Sequence, residues 1–266
     1  NSIDLGSHGV QYVCELMQSR SLFLACLSID RGIILCYNPE VIGYPCCMNI
    51  QYYGDFCFRI NTKPNGRATE DVVIITDVPD KATGLRAPQG EAQVAVLSHQ
   101  RRDIPEISLI KGSPLVLDAP GEYAVSGITL VGLPSFRDGT KGSEKGKNTI
   151  FLIESEEIRL CFLGALGHEL EPSMIEKLGD VDILFVPADG TDTLNLDKID
   201  DLVRKIEPKV TIPMHYALPG MKMSLGEVTK FCDVLGNCPE ETISRYNVKK
   251  KDLEGKIMEI VLLSNS

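Results

Sequence analysis

Short apolar runs rich in Val, Ile, Leu and Phe alternate with Gly, Pro and Asp clusters along the stretch 48–163. Runs of this length between turn formers read as strands. They fall at Asn49 to Tyr53, Phe56 to Ile60, Val72 to Thr76, Gln93 to Ser98, Leu115 to Leu117, Ile128 to Leu133, Thr149 to Glu154 and Arg159 to Leu163. Beyond Leu163 the period changes. Met174 to Leu178, Leu196 to Ile206 and Leu225 to Leu235 carry helical spacing, interleaved with strands at Ile183 to Val186 and Lys209 to Pro213. Two further strands, Ile243 to Val248 and Ile257 to Leu263, flank the polar turn Lys249 to Gly255. A β-rich half followed by alternating strands and helices predicts two packed sheets with helices outside.

The pattern begins abruptly at Met48. Residues 1–47 contain no lysine, hold five of the nine cysteines and show no sustained period of 2 or 3.6. Three readings apply to this leader: a small Cys-rich module, a disordered or partly helical extension, or upstream sequence joined to the natural start. The last is preferred, because Met48-Asn-Ile-Gln-Tyr-Tyr reads as a first strand that needs nothing before it. The expected organisation is an N-terminal extension over 1–47, outside the core, and one domain over 48–266.

Composition adds exclusions. The 266 residues are 43% hydrophobic and 24% charged, with a formal net charge of −10 and no long acidic block, which disfavours nucleic acid and anionic membranes as partners. No apolar run approaches the roughly 20 residues of a membrane span, and a secretory leader is not evident, so a cytoplasmic location is expected. The cysteines lack zinc-finger spacing. They read as buried thiols, with Cys57 and Cys161 inside apolar strand-like runs.

Several motifs in order then narrow the fold. Gly54-Asp55-Phe56-Cys57-Phe58 follows the first strand. Ala119-Pro120-Gly121-Glu122-Tyr123 precedes Ser126-Gly127-Ile128. Phe162-Leu163-Gly164-Ala165-Leu166-Gly167-His168 and Leu178-Gly179-Asp180-Val181-Asp182-Ile183-Leu184 come next, and Ile212-Pro213-Met214-His215-Tyr216 closes the set. From Met48 to about Leu263 this series resembles the metallo-β-lactamase-fold hydrolases. More narrowly, it is similar to the branch of ascorbate-phosphate lactonases and bacterial "Zn-dependent hydrolases". The resemblance implies an α/β (α+β) fold, a four-layer αββα sandwich.

It also implies a site, and there this sequence departs from the family. The chemistry needs imidazoles and carboxylates that hold one or two divalent metals and lower the pKa of bound water to about 7. The family's His-x-His-x-Asp-His motif corresponds to His99-Gln100-Arg101-Arg102-Asp103-Ile104, so two histidines are replaced by Arg101 and Ile104. A further ligand histidine corresponds to Arg137 in Pro134-Ser135-Phe136-Arg137-Asp138, and the bridging aspartate to Ala165. In the opening motif, Asp55 stands where the branch has a histidine. His99, Asp103 and His215 are the remnant metal-site positions, and a guanidinium is always cationic and has no lone pair for a metal.

The resulting expectation is a protein that keeps the fold but is catalytically silent or impaired, with no cofactor and no assigned catalytic residue. Arg101 and Arg137 are candidate anion-binding residues for a small phosphorylated or carboxylated molecule, because guanidinium forks suit such oxygens. The bland alternative pairs Arg101 with Asp103 and Arg137 with Asp138. The alternative function is a zinc- or manganese-dependent hydrolase of phosphate-bearing lactones or esters, using His99, Asp103 and His215. Elsewhere, His168 is expected to cap a helix start, Asp180 and Asp182 to be turn residues at a strand entry, and Gly139 to Gly146 to be a mobile surface loop. Ser98 and Ser135 lack a base in an activating order, and His8 receives no role.

Overall fold

In the computed structural model of the chain, the described residues are 47–64, 71–99, 107–236 and 238–266, with the backbone of 25–29 and 33–37. The chain divides into two compact units, Asn1–Pro45 and Cys46–Ser266. In the first, β1 (Ala25–Ile29) and β2 (Ile33–Tyr37) pair antiparallel. Both fall in the leader, whose sequence shows no sustained period.

The second unit holds two sheets. One contains β3 (Met48–Gly54), β4 (Cys57–Thr62), β5 (Val72–Thr76), β6 (Val94–Val96) and β7 (Leu115–Leu117). The other starts with β8 (Gly121–Val125), β9 (Ile128–Phe136), β10 (Lys147–Ser155) and β11 (Ile158–Phe162), all antiparallel. Helix α1 (Pro172–Leu178) leads to β12 (Ile183–Pro187), and α2 (Leu196–Ile206) to β13 (Val210–Met214). Both crossovers join parallel strands, as a connection through a helix requires. After α3 (Val228–Leu235), β14 (Tyr246–Val248) joins the first sheet beside β3, and β15 (Glu259–Ile260) joins the second beside β13. The strand orders are β14-β3-β4-β5-β6-β7 and β15-β13-β12-β11-β10-β9-β8.

Local sequence explains each placement. β3 alternates buried and half-buried residues, as a strand with one covered face does. β12 and β13 are buried at every position, which fits parallel strands covered on both faces. In α2, Asn195 caps the Asp197 N–H, and Ile199, Leu202, Val203 and Ile206 form one buried stripe. Between the sheets, Phe58 of β4 meets Phe185 of β12 at a ring separation of 4.7 Å and Phe162 of β11 at 6.5 Å. Each fully buried ring of this kind contributes about 1.5–3 kcal/mol.

Several expectations need correcting. The third helix starts at Val228 rather than Leu225, β8 was not foreseen as a strand, and the last two strands are short. Cys57 and Cys161 are buried, and burial pushes the Cys161 thiol up. Cys232 and Cys238, however, form a disulfide across the end of α3 rather than being thiols. Asp182 is more than a turn residue: its buried carboxylate accepts from Lys209, Lys250 and the Arg159 N–H at 2.6–3.0 Å. Among the described residues, no helix is long and apolar enough to cross a membrane.

Candidate functional site

The chain leaves several strands at one edge, and the side chains there converge. Asp55 occupies the β3–β4 turn, Asp77 follows β5, His99 follows β6, Arg137 follows β9, Asp189 and Asp192 follow β12, and His215 follows β13. Loops outside strand ends carry polar groups without interrupting the ladder, which is why ligand sites gather in such places.

At the centre is a buried dyad. His215 is 1% exposed and its Nδ1 lies 2.6 Å from Asp55 Oδ1, on a carboxylate with no exposure. A carboxylate only accepts, so Nδ1 carries the proton, which fixes the ring with Nε2 pointing away. The backbone reinforces this: the His215 N–H donates to the Asp55 carbonyl (2.7 Å) and the Tyr52 hydroxyl (3.1 Å), while Tyr52 Oη donates to the same carbonyl (2.9 Å). Asp55 and His215 both have left-handed backbone, at φ 57° and 54°, a conformation that costs a non-glycine residue about 1 kcal/mol or more. His215 Nε2 is buried and makes no hydrogen bond. It faces Asp189 Oδ1 at 4.0 Å and Asp192 Oδ2 at 3.9 Å.

Phe56 separates the two histidines. The His215 ring stacks on it at 4.1 Å and the His99 ring meets its edge at 5.3 Å. His99 belongs to a second chain of contacts: Ser98 Oγ lies 2.5 Å from Asp77 Oδ2 and 2.8 Å from His99 Nδ1. Because the carboxylate takes the serine proton, His99 Nδ1 is the donor to Ser98 Oγ. Gly164 makes room for this chain, since a Cβ there would lie 2.4 Å from Ser98 Cβ and Oγ.

Arg137 does not pair with Asp138, as the bland expectation had it. Its guanidinium lies 3.5 Å from Asp192 Oδ2, while Asp138 turns into its own loop and accepts from the N–H groups of Thr140, Gly142, Glu144 and Lys145 and from the Thr140 hydroxyl. These bonds, that from Lys145 foremost, hold the Asp138 carboxyl well below the usual carboxylate range. The loop Gly139 to Gly146 is therefore tied from within. Lys145 also reaches the Asp192 carboxylate at 3.0 Å and its carbonyl at 2.6 Å. Gly167 allows β9 to end against the Gly164 to His168 loop, where a Cβ would stand 1.9 Å from the Arg137 carbonyl oxygen. His168 caps no helix: α1 starts at Pro172 after Glu171, and His168 Nδ1 contacts the Glu169 carbonyl.

Arg101 and Asp103 lie outside the described residues, so the structure brings together only His99, Arg137 and His215 from the sequence-derived set. Asp55, Asp77, Lys145, Asp189 and Asp192 join them, and sequence reasoning assigned none of these a role. For Asp189 and Asp192 a signal existed, a Pro-Ala-Asp-Gly-Thr-Asp-Thr turn leaving a buried strand.

Among the described residues, no three His, Cys, Asp or Glu side chains come together as a metal-holding group. Asp189 is the carboxylate best placed to join His215, but its oxygens accept from the Thr191 N–H and hydroxyl, the Asp192 N–H and the Thr193 hydroxyl. Burial raises the Asp189 carboxyl, yet the Thr193 and Asp192 bonds, with His215 and Thr191, outweigh it and hold the group below its ordinary value. The Arg137 guanidinium shares Asp192 with His215, and it repels a metal cation.

Comparison with known proteins agrees with this architecture. A model of the beta-lactamase superfamily domain matches residues 49–215. A UPF0173 protein of Pyrococcus furiosus is 36% identical over 66 residues, and a UPF0173 metal-dependent hydrolase of Staphylothermus marinus is 31% identical over 74. The matched stretches span only 30% and 32% of those relatives' length, and 25% and 28% of this chain. A structure from Thermotoga maritima, described as a candidate Zn-dependent hydrolase of the metallo-beta-lactamase superfamily, superposes with a TM-score of 0.63 at 29% identity. It covers 81% of this chain and 98% of its own. A metallo hydrolase from Ignicoccus hospitalis shares the fold at a TM-score of 0.54 and 15% identity, covering 83% of this chain and 96% of its own.

Proposed function

The chain belongs to the beta-lactamase superfamily, and from that premise we propose that it keeps the superfamily's fold while its metal-dependent hydrolysis is lost or strongly impaired. In this reading the edge carrying Arg137 and His215 binds a small phosphorylated or carboxylated molecule without a metal. One observation carries it: Arg137 and the Nε2 of His215 converge on a single carboxylate oxygen, Asp192 Oδ2, at 3.5 and 3.9 Å. The guanidinium supplies charge and bidentate bonds to an anion, while Nε2, with the ring proton on Nδ1, accepts an O–H that the bound group carries. Arg101 enters from the sequence alone, as a second guanidinium on the loop after His99. The reading expects no cofactor, a cytoplasmic location and neither nucleic acid nor membrane as partner.

The second reading, a zinc- or manganese-dependent hydrolase of phosphate-bearing lactones or esters, is favoured by the description of the Staphylothermus relative as a metal-dependent hydrolase. Metal analysis separates the two. The first expects well under one equivalent of zinc, manganese or iron and little change in Tm when these are added, together with phosphate binding in the presence of a chelator. That binding should be lost in an Arg101→Ala, Arg137→Ala double variant. A stoichiometric metal removed by His99→Ala or His215→Ala would establish the second reading instead.

A further inference from the structure

The anion framework already holds an anion, and it is part of the chain. Asp192 sits on the loop between β12 and α2, and its side chain is 42% exposed. Its Oδ1 lies 3.0 Å from Lys145 Nζ, and its Oδ2 lies 3.5 Å from Arg137 and 3.9 Å from His215 Nε2. The backbone of Asp192 is fixed separately, by its N–H on Asp189 Oδ2 at 2.6 Å and its carbonyl on Lys145 at 2.6 Å. The carboxylate is therefore placed among the cationic groups by a loop that holds its position without it.

The geometry points to Asp192 as the site's built-in counter-anion, and to Lys145 as a third arm of the site. A dianionic phosphate, free or as a small monoester, binds by displacing the Asp192 carboxylate from Arg137 and Lys145, beside His215 Nε2. This inference rests on the reading above that Arg137 and His215 bind a small anion.

Three observations support displacement. Half-exposed ion pairs such as Asp192 with Arg137 and Lys145 are each worth little, so the occupant is held weakly. A phosphate dianion offers three oxygens and twice the charge to the same donors. Finally, the buried, unbonded Nε2 of His215 faces Asp192 Oδ2 beyond hydrogen-bonding distance, and with the ring proton on Nδ1 it is free to accept the P–OH of hydrogen phosphate. Asp189 also faces His215 and opposes an incoming anion. Its bonds to Thr191, Thr193 and the Asp192 N–H absorb part of that charge.

The test is calorimetric titration of the full chain with inorganic phosphate, methyl phosphate and acetate at neutral pH with a chelator present. Asp192→Asn should bind phosphate about five- to tenfold more tightly than the natural chain. In that background, Lys145→Ala should remove most of the gain, and the monoanion acetate should gain less than phosphate. Asp197→Asn removes the same charge from the first turn of α2 and separates displacement from a general loss of negative charge, so its affinity should not change. Asp192→Ser serves as a second variant, and the Tm of each protein checks folding. Phosphate binding that is lost in Arg137→Ala but equal in Asp192→Asn and the natural chain overturns the counter-anion while leaving the proposed anion site standing. An equal gain in Asp197→Asn does the same. If neither the natural chain nor Asp192→Asn binds phosphate at millimolar concentration, both the inference and the anion site fail. A preference for methyl phosphate over inorganic phosphate assigns the natural ligand to the monoesters, and the reverse to the free ion.

Discussion

Asp55 replaces the histidine that the resembled branch carries after its first strand, and the new carboxylate becomes the partner that fixes His215. Removing it leaves a buried Nδ1–H with nothing to donate to. Asp55→Ala should therefore lower unfolding free energy by about 1–3 kcal/mol, read from urea unfolding, with Asp55→Asn losing less because the amide oxygen still accepts. An unchanged midpoint in Asp55→Ala would show that the dyad carries no stability. The sequence displayed both residues, but their 160-residue separation hid the pairing. A carboxylate's partner is set by which strand ends share an edge, and spacing along the chain does not encode that. Arg137 shows the same limit. Its neighbour Asp138 was the natural candidate partner, yet the N–H groups of a tight loop claim Asp138, and Asp192 takes the guanidinium.

At the level of elements, pattern was the stronger guide. The strands from Met48 to Leu163 and helix α2 were legible because their apolar positions repeat with period 2 or 3.6. β8 was not, since Gly121–Val125 is only partly buried and its core-facing side offers just Tyr123 and Val125. The disulfide at the end of α3 was also missed, because a pair six residues apart says nothing of oxidation by itself. It closes a short loop with Cα atoms 5.3 Å apart. Loop-closure entropy gives it about 2 kcal/mol, so dithiothreitol should lower the unfolding free energy read from urea unfolding by that amount, and Cys232→Ser should make it insensitive to reductant.

The clamp on Asp182 makes a different prediction. Burial raises this carboxyl, but Lys209, Lys250 and the Arg159 N–H bring it below its ordinary value, as bonding does for Asp138 and Asp189. For each group the unfolded chain takes up protons first. The stability they contribute is thus complete above about pH 4 and is lost as pH falls through their lower folded values. Unfolding free energy should drop between pH 5 and pH 3 and drop less in Asp182→Asn. Equal slopes in the two proteins would remove Asp182 from the acid response.

For the whole molecule, the boundary at Met48 is open to direct test. The two compact units divide between Pro45 and Cys46. A chain starting at Met48 should unfold within about 1 kcal/mol of the full chain. A marked fall in Tm, or insolubility, would place residues 1–47 in the core. The sandwich itself was legible because a β-rich half followed by alternating strands and helices fits two packed sheets with helices outside, and because the series of motifs resembles the metallo-β-lactamase-fold hydrolases. The internal counter-anion was not, because it depends on three loops meeting.

One pairing sets the order in which the molecule can be made. β14 lies beside β3, Asn265 bridges Tyr52, and the Ser266 N–H donates to the Tyr52 carbonyl at 2.9 Å. The first strand of the domain to leave the ribosome therefore waits for its outer neighbour until almost the whole chain has been synthesised, about 10–40 s later at a rate of about 5–20 residues per second. Through that interval the nascent chain carries an unpaired strand edge, with the Tyr52 hydroxyl and Asp55 still lacking His215. Such an edge invites pairing with another chain. A stalled or prematurely terminated product lacking the last two strands is thus an aggregation hazard, even though most of the domain's core has already been encoded.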